Sequence, residues 1–269
     1  MISHDIHIHT HLSSCSSDPE ATPENYIQLA KELGIEVLGF ADHFWDSNVE
    51  GASDWYRPQN FEHIMQIKDK MPEDTLGIKV LIGCETEYCG NGKLGITREV
   101  AEKLDFVLVP TSHVHMKGFT VPAWINEPKD VANIMVEYFK DVTQYDFVTG
   151  LAHPFYPLSY ENVDEIVGCI SDEEFQECFG MAQEAGMSIE INTCNLPSTR
   201  DAETDLYHDD VFINMYNIAK KMGCKFHLGT DAHSIEAFSR NTRLKESVER
   251  LLGLTNEDIH PIVTDAVRK

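Results

Sequence analysis

Six of the 13 histidines fall at the ends of short apolar, β-branched runs: His7, His9, His43, His113, His153 and His233. His7 and His9 stand two apart in Asp5-Ile6-His7-Ile8-His9-Thr10, so on a strand both point to the same face. Asp42-His43, Glu85, His113, His153-Pro154 and Asp231-Ala232-His233 close further runs. Imidazoles with a few carboxylates suit Zn²⁺, Fe²⁺ or Mn²⁺. One ion takes three or four protein ligands. His7, His9, His43, Glu85, His113, His153, Asp231 and His233 are too many for one ion. They suit two or three divalent ions with a shared carboxylate. Such sites hydrolyse esters by clamping the substrate and generating a hydroxide. A lone histidine at a strand end is usually just hydrogen-bonded, so the case rests on the set. His4, His63, His208, His227 and His260 lie off these positions and read as ordinary histidines. His11 and His115 lie near them and stay open.

The runs that must position these residues are 2–9, 36–43, 79–87, 105–113, 147–153, 188–193 and 225–233. Amphipathic segments lie between them at 23–34, 128–143, 172–186 and 209–223. The last two open on acids and close on glycine, as helices do. Strands alternating with helices imply an α/β fold with a parallel sheet. The expectation is a single domain over residues 1–269, a TIM-like parallel (β/α)7 barrel. Parallel strands gather their C-terminal ends on one rim, where barrel enzymes build their sites.

The formal charge of −24, from 45 acidic and 21 basic residues, repels polyanions and argues against nucleic acid or an anionic membrane as partner. A small anionic substrate is compatible, because bound metal ions invert the local sign. Seven cysteines without a CxxC pair imply free thiols and a reducing, cytoplasmic location. Met1-Ile2-Ser3-His4 leads directly into a structured run, so no signal peptide is expected. No apolar run approaches the roughly 18 residues of a membrane span. Nothing in the sequence bears on oligomeric state.

The ordered motifs from Asp5 to His233 resemble the PHP (polymerase and histidinol phosphatase) superfamily, and its stand-alone histidinol-phosphatase-like branch in length and in the run Glu190-Ile191-Asn192-Thr193. The resemblance implies a distorted seven-stranded barrel with a trinuclear site. One metal would take His7, His9, Glu85 and Asp231. A second would share Glu85 and take His113 and His153. A third would take His43, His233 and a ligand from the loop after the first strand. That loop, Ser13-Ser14-Cys15-Ser16-Ser17-Asp18, has no histidine where relatives often supply one, so Cys15 or Asp18 would serve. The function implied is hydrolysis of a small phosphomonoester, histidinol phosphate or another metabolite phosphate, without a covalent phosphoenzyme. His43, His233 and Asp231 take the catalytic roles, with His43 or His233 protonating the leaving group. The phosphate-binding arginines of true histidinol phosphatases are not clearly matched. Arg200, the one cation in an acidic segment, is the candidate substrate contact. The competing expectation is an amidohydrolase cutting a C–N bond. Such barrels also open on HxH, but they commonly add a strand-end lysine that this chain lacks.

Overall fold

The computed structural model describes residues 1–193, 211–243 and 245–268. Its helices start where the sequence supplies caps. The Thr22 hydroxyl accepts from Asn25 N at the head of Pro23–Glu32, which buries Tyr26, Ile27 and Ala30. Ser171 and Glu174 cap each other's backbone N–H at the head of Asp172–Glu184, which buries Phe175, Cys178, Phe179 and Ala182. Pro128–Val142 opens on proline and buries Val131, Met135, Phe139 and Val142. None of the helices among the described residues is long and apolar enough to cross a membrane.

Among the described residues nine strands form two parallel sheets. The first is ordered β1-β2-β4 and holds β1 (His4–Ile8), β2 (Val37–Phe40) and β4 (Lys79–Ile82). The second is ordered β3-β5-β6-β7-β8-β9. It holds β3 (His43–Phe44), β5 (Cys84–Thr86), β6 (Val107–Pro110), β7 (Gly150–Ala152), β8 (Ser188–Asn192) and β9 (Lys225–Gly229). This corrects the expected count of seven strands in one barrel. Runs 36–43 and 79–87 each break in two.

The second break has a visible cause at Gly83. A Cβ there would lie 2.5 Å from the Phe106 ring, so only glycine lets that ring press against the backbone. On the near side of the break, Ile82 N is satisfied by the Asp105 side chain at 2.7 Å. On the far side, Cys84 pairs with Val107 and the ladder continues.

β1 and β9 meet at the seam between the two sheets, where side chains replace part of the ladder. Leu228 N donates to His4 Nε2 at 2.9 Å and Thr230 N to Asp5 Oδ1 at 3.2 Å. Past the strands the backbone takes over, with Asp231 N donating to His7 O and His9 N to Ala232 O. Asp5 also faces Lys245 Nζ at 3.3 Å, a buried pair that ties the helix Lys245–Leu252 to the first strand. Every named ladder is parallel. The strands of each sheet therefore end on one side, and the candidate ligands lie at or just beyond those ends.

Candidate metal centre

All eight candidate ligands converge. Their donor atoms fall into four groups, each within 4.8 Å: His9, His43 and His233; His7, His9 and Glu85; His7, His153 and Asp231; Glu85, His113 and His153. Glu85 belongs to two of the groups. Seven of the eight are buried or nearly so, and His233 is half-buried.

Neighbouring side chains fix which ring nitrogen faces the centre. His7 Nδ1 donates to Glu190 Oε2 at 2.8 Å, and His113 Nδ1 to Glu87 Oε1 at 2.7 Å. Ser13 spends its own proton on Asp42 Oδ1, so its oxygen accepts from His9 Nδ1 at 3.1 Å. The same logic at Ser112, bonded to the His153 carbonyl, leaves its oxygen for His153 Nδ1 at 2.9 Å. His233 Nδ1 donates to the Asp231 carbonyl. In each of these five rings Nε2 is left for the centre, the outer-shell arrangement that orients metal-binding histidines.

The inward atoms have the spacing of ligands around a shared cation. His7 Nε2 and His9 Nε2 are 3.1 Å apart. His9 Nε2 lies 3.1 Å from Asp231 Oδ1 and 3.6 Å from Glu85 Oε2. His7 Nε2 lies 3.7 Å from Asp231 Oδ1 and 3.6 Å from Glu85 Oε1. Tetrahedral donors about 2.1 Å from a zinc ion are themselves about 3.4 Å apart. Two ring nitrogens facing each other that closely need positive charge between them, a proton or a metal ion. His43 Nδ1 sits 3.0 Å from Glu85 Oε2 without the alignment of a hydrogen bond. The residues present fit divalent ions.

The electrostatics agree. Burial alone would lower His7, but the Glu190, Glu85 and Asp231 carboxylates outweigh it and hold the ring well above its usual pKa. Burial opposes the Glu85 charge, yet His7 and His43 keep that carboxyl well below the usual range. The protons held by these imidazoles are the ones a metal ion has to displace. Two of the candidate ligands have left-handed backbone values rare outside glycine, His153 at φ 28° and Asp231 at φ 50°.

The loop after β1 divides as follows. Cys15 shares the cavity wall with His233 and His43, and these imidazoles bring its thiol pKa down to about 7 against the effect of burial. Asp18 points elsewhere: its oxygens accept from Glu20 N and Ile235 N, at 2.9 and 3.1 Å. Asp18 joins none of the four donor groups. Arg200 and His208 lie outside the described residues. His11 Nδ1 bonds the Ala21 carbonyl, while His115 lines the site beside His113 without joining a group. His4, His63 and His260 each bond a backbone carbonyl, as ordinary histidines do. His227 is more involved, bonding Ser188 Oγ at 2.8 Å and lying 3.6 Å from Glu190.

Glu190 and Glu87 had no assigned role in the sequence. Glu190 interrupts a strand buried along its whole length, Ser188-Ile189-Glu190-Ile191-Asn192, and that interruption was the available signal. Space for it is reserved at Gly229, where a Cβ would lie 2.4 Å from Glu190 Oε1 and 2.7 Å from His7 Cβ. Gly229→Ala is expected to cost about 1–3 kcal/mol through overpacking and to lower metal content. Denaturant unfolding and elemental analysis read the two effects. An unchanged midpoint with full metal content would show that the glycine is dispensable.

Residues 5–194 match the PHP domain. The chain belongs to the PHP domain family. The matched stretch holds six of the eight residues that converge, and β9 and the turn after it supply Asp231 and His233. This PHP domain is 23% identical to a "Probable phosphatase" of Aliivibrio fischeri (strain MJ11) over 241 residues, 90% of this chain and 82% of that protein. It is 25% identical over 230 residues to a "Probable phosphatase" of Thermoanaerobacter sp. (strain X514), 84% of this chain and 77% of that protein. Among solved structures it is similar to the histidinol phosphate phosphatase of Lactococcus lactis subsp. lactis Il1403, complexed with zinc, L-histidinol and phosphate. The TM-score is 0.60 at 19% identity, covering 96% of this chain and 95% of that one, which shows a shared α/β fold.

Proposed function

We propose that this PHP domain is a metal-dependent phosphoesterase acting on a small phosphomonoester, histidinol phosphate or a metabolite phosphate of similar size. The observation that carries this is Glu85, shared by two donor groups and facing a cavity of about 310 Å³ lined also by Cys15, His43, His113, Asp231 and His233. The names of the related proteins support the same chemistry, as does the phosphate beside zinc in the L. lactis enzyme. Divalent ions held there would supply Lewis-acid activation of the phosphoryl group and of an attacking water. The chain's own residues hold that arrangement still. Glu190, Glu87, Ser13 and Ser112 lock the rings, and the Asp42 carboxylate pins the loop through Thr10 and Ser13. His43 and His233 stand on the cavity wall, where a departing alkoxide takes up a proton. An amidohydrolase gains no observation in its favour, because no lysine is among the described residues that line the cavity.

The test is a screen of phosphomonoesters on protein whose metals have been quantified. Phosphate release that rises with metal loading is expected, and none from any ester would overturn the proposal. Hydrolysis in ¹⁸O-labelled water during a single turnover is expected to place the label in phosphate.

We assign Cys15 as the loop ligand of a third ion, beside His9, His43 and His233. Thiolates favour soft ions and give them distinctive spectra. Cobalt-loaded protein is expected to show a strong sulfur-to-cobalt absorption in the near ultraviolet. Cys15→Ser should abolish it and lower metal content by no more than one ion. An unchanged spectrum in the variant would remove Cys15 from the site.

A further inference from the structure

Beside the candidate ligands the cavity is lined by the aromatic and apolar side chains of Trp55, Tyr56, Met116 and Leu158. Trp55 meets His43 edge-on with centroids 5.1 Å apart and Tyr56 at 4.6 Å. Tyr56 is itself fixed, donating its hydroxyl to Glu87 and stacking on Phe119 at 5.6 Å and 23°. Trp55 remains 39% exposed, so its ring is available for contact. The described lining residues include no lysine or arginine. Their only carboxylates, Glu85 and Asp231, belong to the metal groups. An ammonium carried on the leaving group would shed water there and find no carboxylate outside the metal groups among the described lining residues. A flat ring would lose nothing polar and gain an aromatic partner. At about 310 Å³ the cavity lies at the small end for ligand sites, which run to roughly 300–1,000 Å³.

We infer that the site selects phosphomonoesters whose leaving group is a flat, uncharged ring, with Trp55 as the specificity-determining contact. This rests on the phosphoesterase proposal and narrows its substrate class, away from histidinol phosphate, whose leaving group carries an ammonium, and toward the other metabolite phosphates of similar size. The phosphate stays at the metal side and the ring lies against Trp55 and Tyr56. Cationic amino-alcohol phosphates are thereby disfavoured.

The test uses phosphonates, which cannot be hydrolysed, titrated calorimetrically into metal-loaded protein alongside inorganic phosphate. Phenylphosphonate is expected to bind at least about tenfold more tightly than methylphosphonate, and 2-aminoethylphosphonate no more tightly than methylphosphonate. Trp55→Ala should bring phenylphosphonate to within about twofold of methylphosphonate and leave phosphate affinity unchanged. Trp55→Phe should keep most of the discrimination. Equal binding of the phenyl and methyl compounds by the wild type, or tightest binding of the aminoethyl compound, would overturn ring selection while leaving the phosphoesterase intact. Failure of phosphate and of every phosphonate to bind would overturn the phosphoesterase itself, and ring selection with it.

Discussion

Glu85→Gln is expected to remove more metal than replacement of any single histidine and to lower kcat/KM by about 10³-fold. Each histidine serves one or two groups as a neutral donor, but Glu85 brings a full negative charge to both groups it joins. Its oxygens lie 3.1 Å from His153 Nε2, 3.0 Å from His43 Nδ1 and 3.6 Å from both His7 Nε2 and His9 Nε2. Glutamine keeps the volume and can still bond a ring nitrogen, so the fold should survive. The missing charge is what two neighbouring cations need most. Loss of metal assistance worth several kcal/mol corresponds to roughly three decades of rate. Elemental analysis of gently purified protein, with His113→Gln as comparison, reads the metal. Steady-state kinetics on the best ester reads the rate. A Glu85→Gln protein with wild-type metal content would show that this carboxylate does not bridge.

Chelation is expected to lower the thermal midpoint by about 8 °C or more. An ion present at 1,000 times its dissociation constant stabilises the fold by about 4 kcal/mol. Each kcal/mol moves the midpoint of a domain of this size by about 2–4 °C. The effect should widen with pH. Burial opposes a charge on His233, but Cys15 and Asp231 raise its pKa from 6.5 to about 9. In the metal-free protein that protonated ring contributes stability in full below 6.5, and loses it as pH rises through 9. Metal affinity runs the other way, since fewer protons compete for the ligands as pH rises. The gap between loaded and stripped midpoints should therefore be larger near pH 9 than near pH 6.5. Equal midpoints with and without chelator would show that the cluster holds no ion of structural weight.

The eight converging residues were legible because a histidine at the end of an apolar run breaks the local pattern, and parallel strands bring such ends together. The strand count was not. The break at Gly83 depends on a phenylalanine ring just ahead of β6, and sequence alone does not place Phe106 against it. Glu190 was visible as a charge inside an apolar strand, but its partnership with His7 spans 183 positions. Cys15 and Asp18 looked equivalent as oxygen or sulfur donors in one loop. The structure separates them, giving the Asp18 carboxylate to two backbone amides and placing Cys15 on the cavity wall with His43 and His233. Trp55 and Tyr56 lie between helices and strands, where no periodicity singles them out.

The seam between β1 and β9 sets an order of events in time. Its contacts join residues 224 and 225 positions apart, among the most distant pairings the chain makes. Loops that long close late, after local contacts have formed. His7 and His9 stand on one side of the seam, Asp231 and His233 on the other. A cation that needs both sides cannot template the early chain; it arrives in a topology already built.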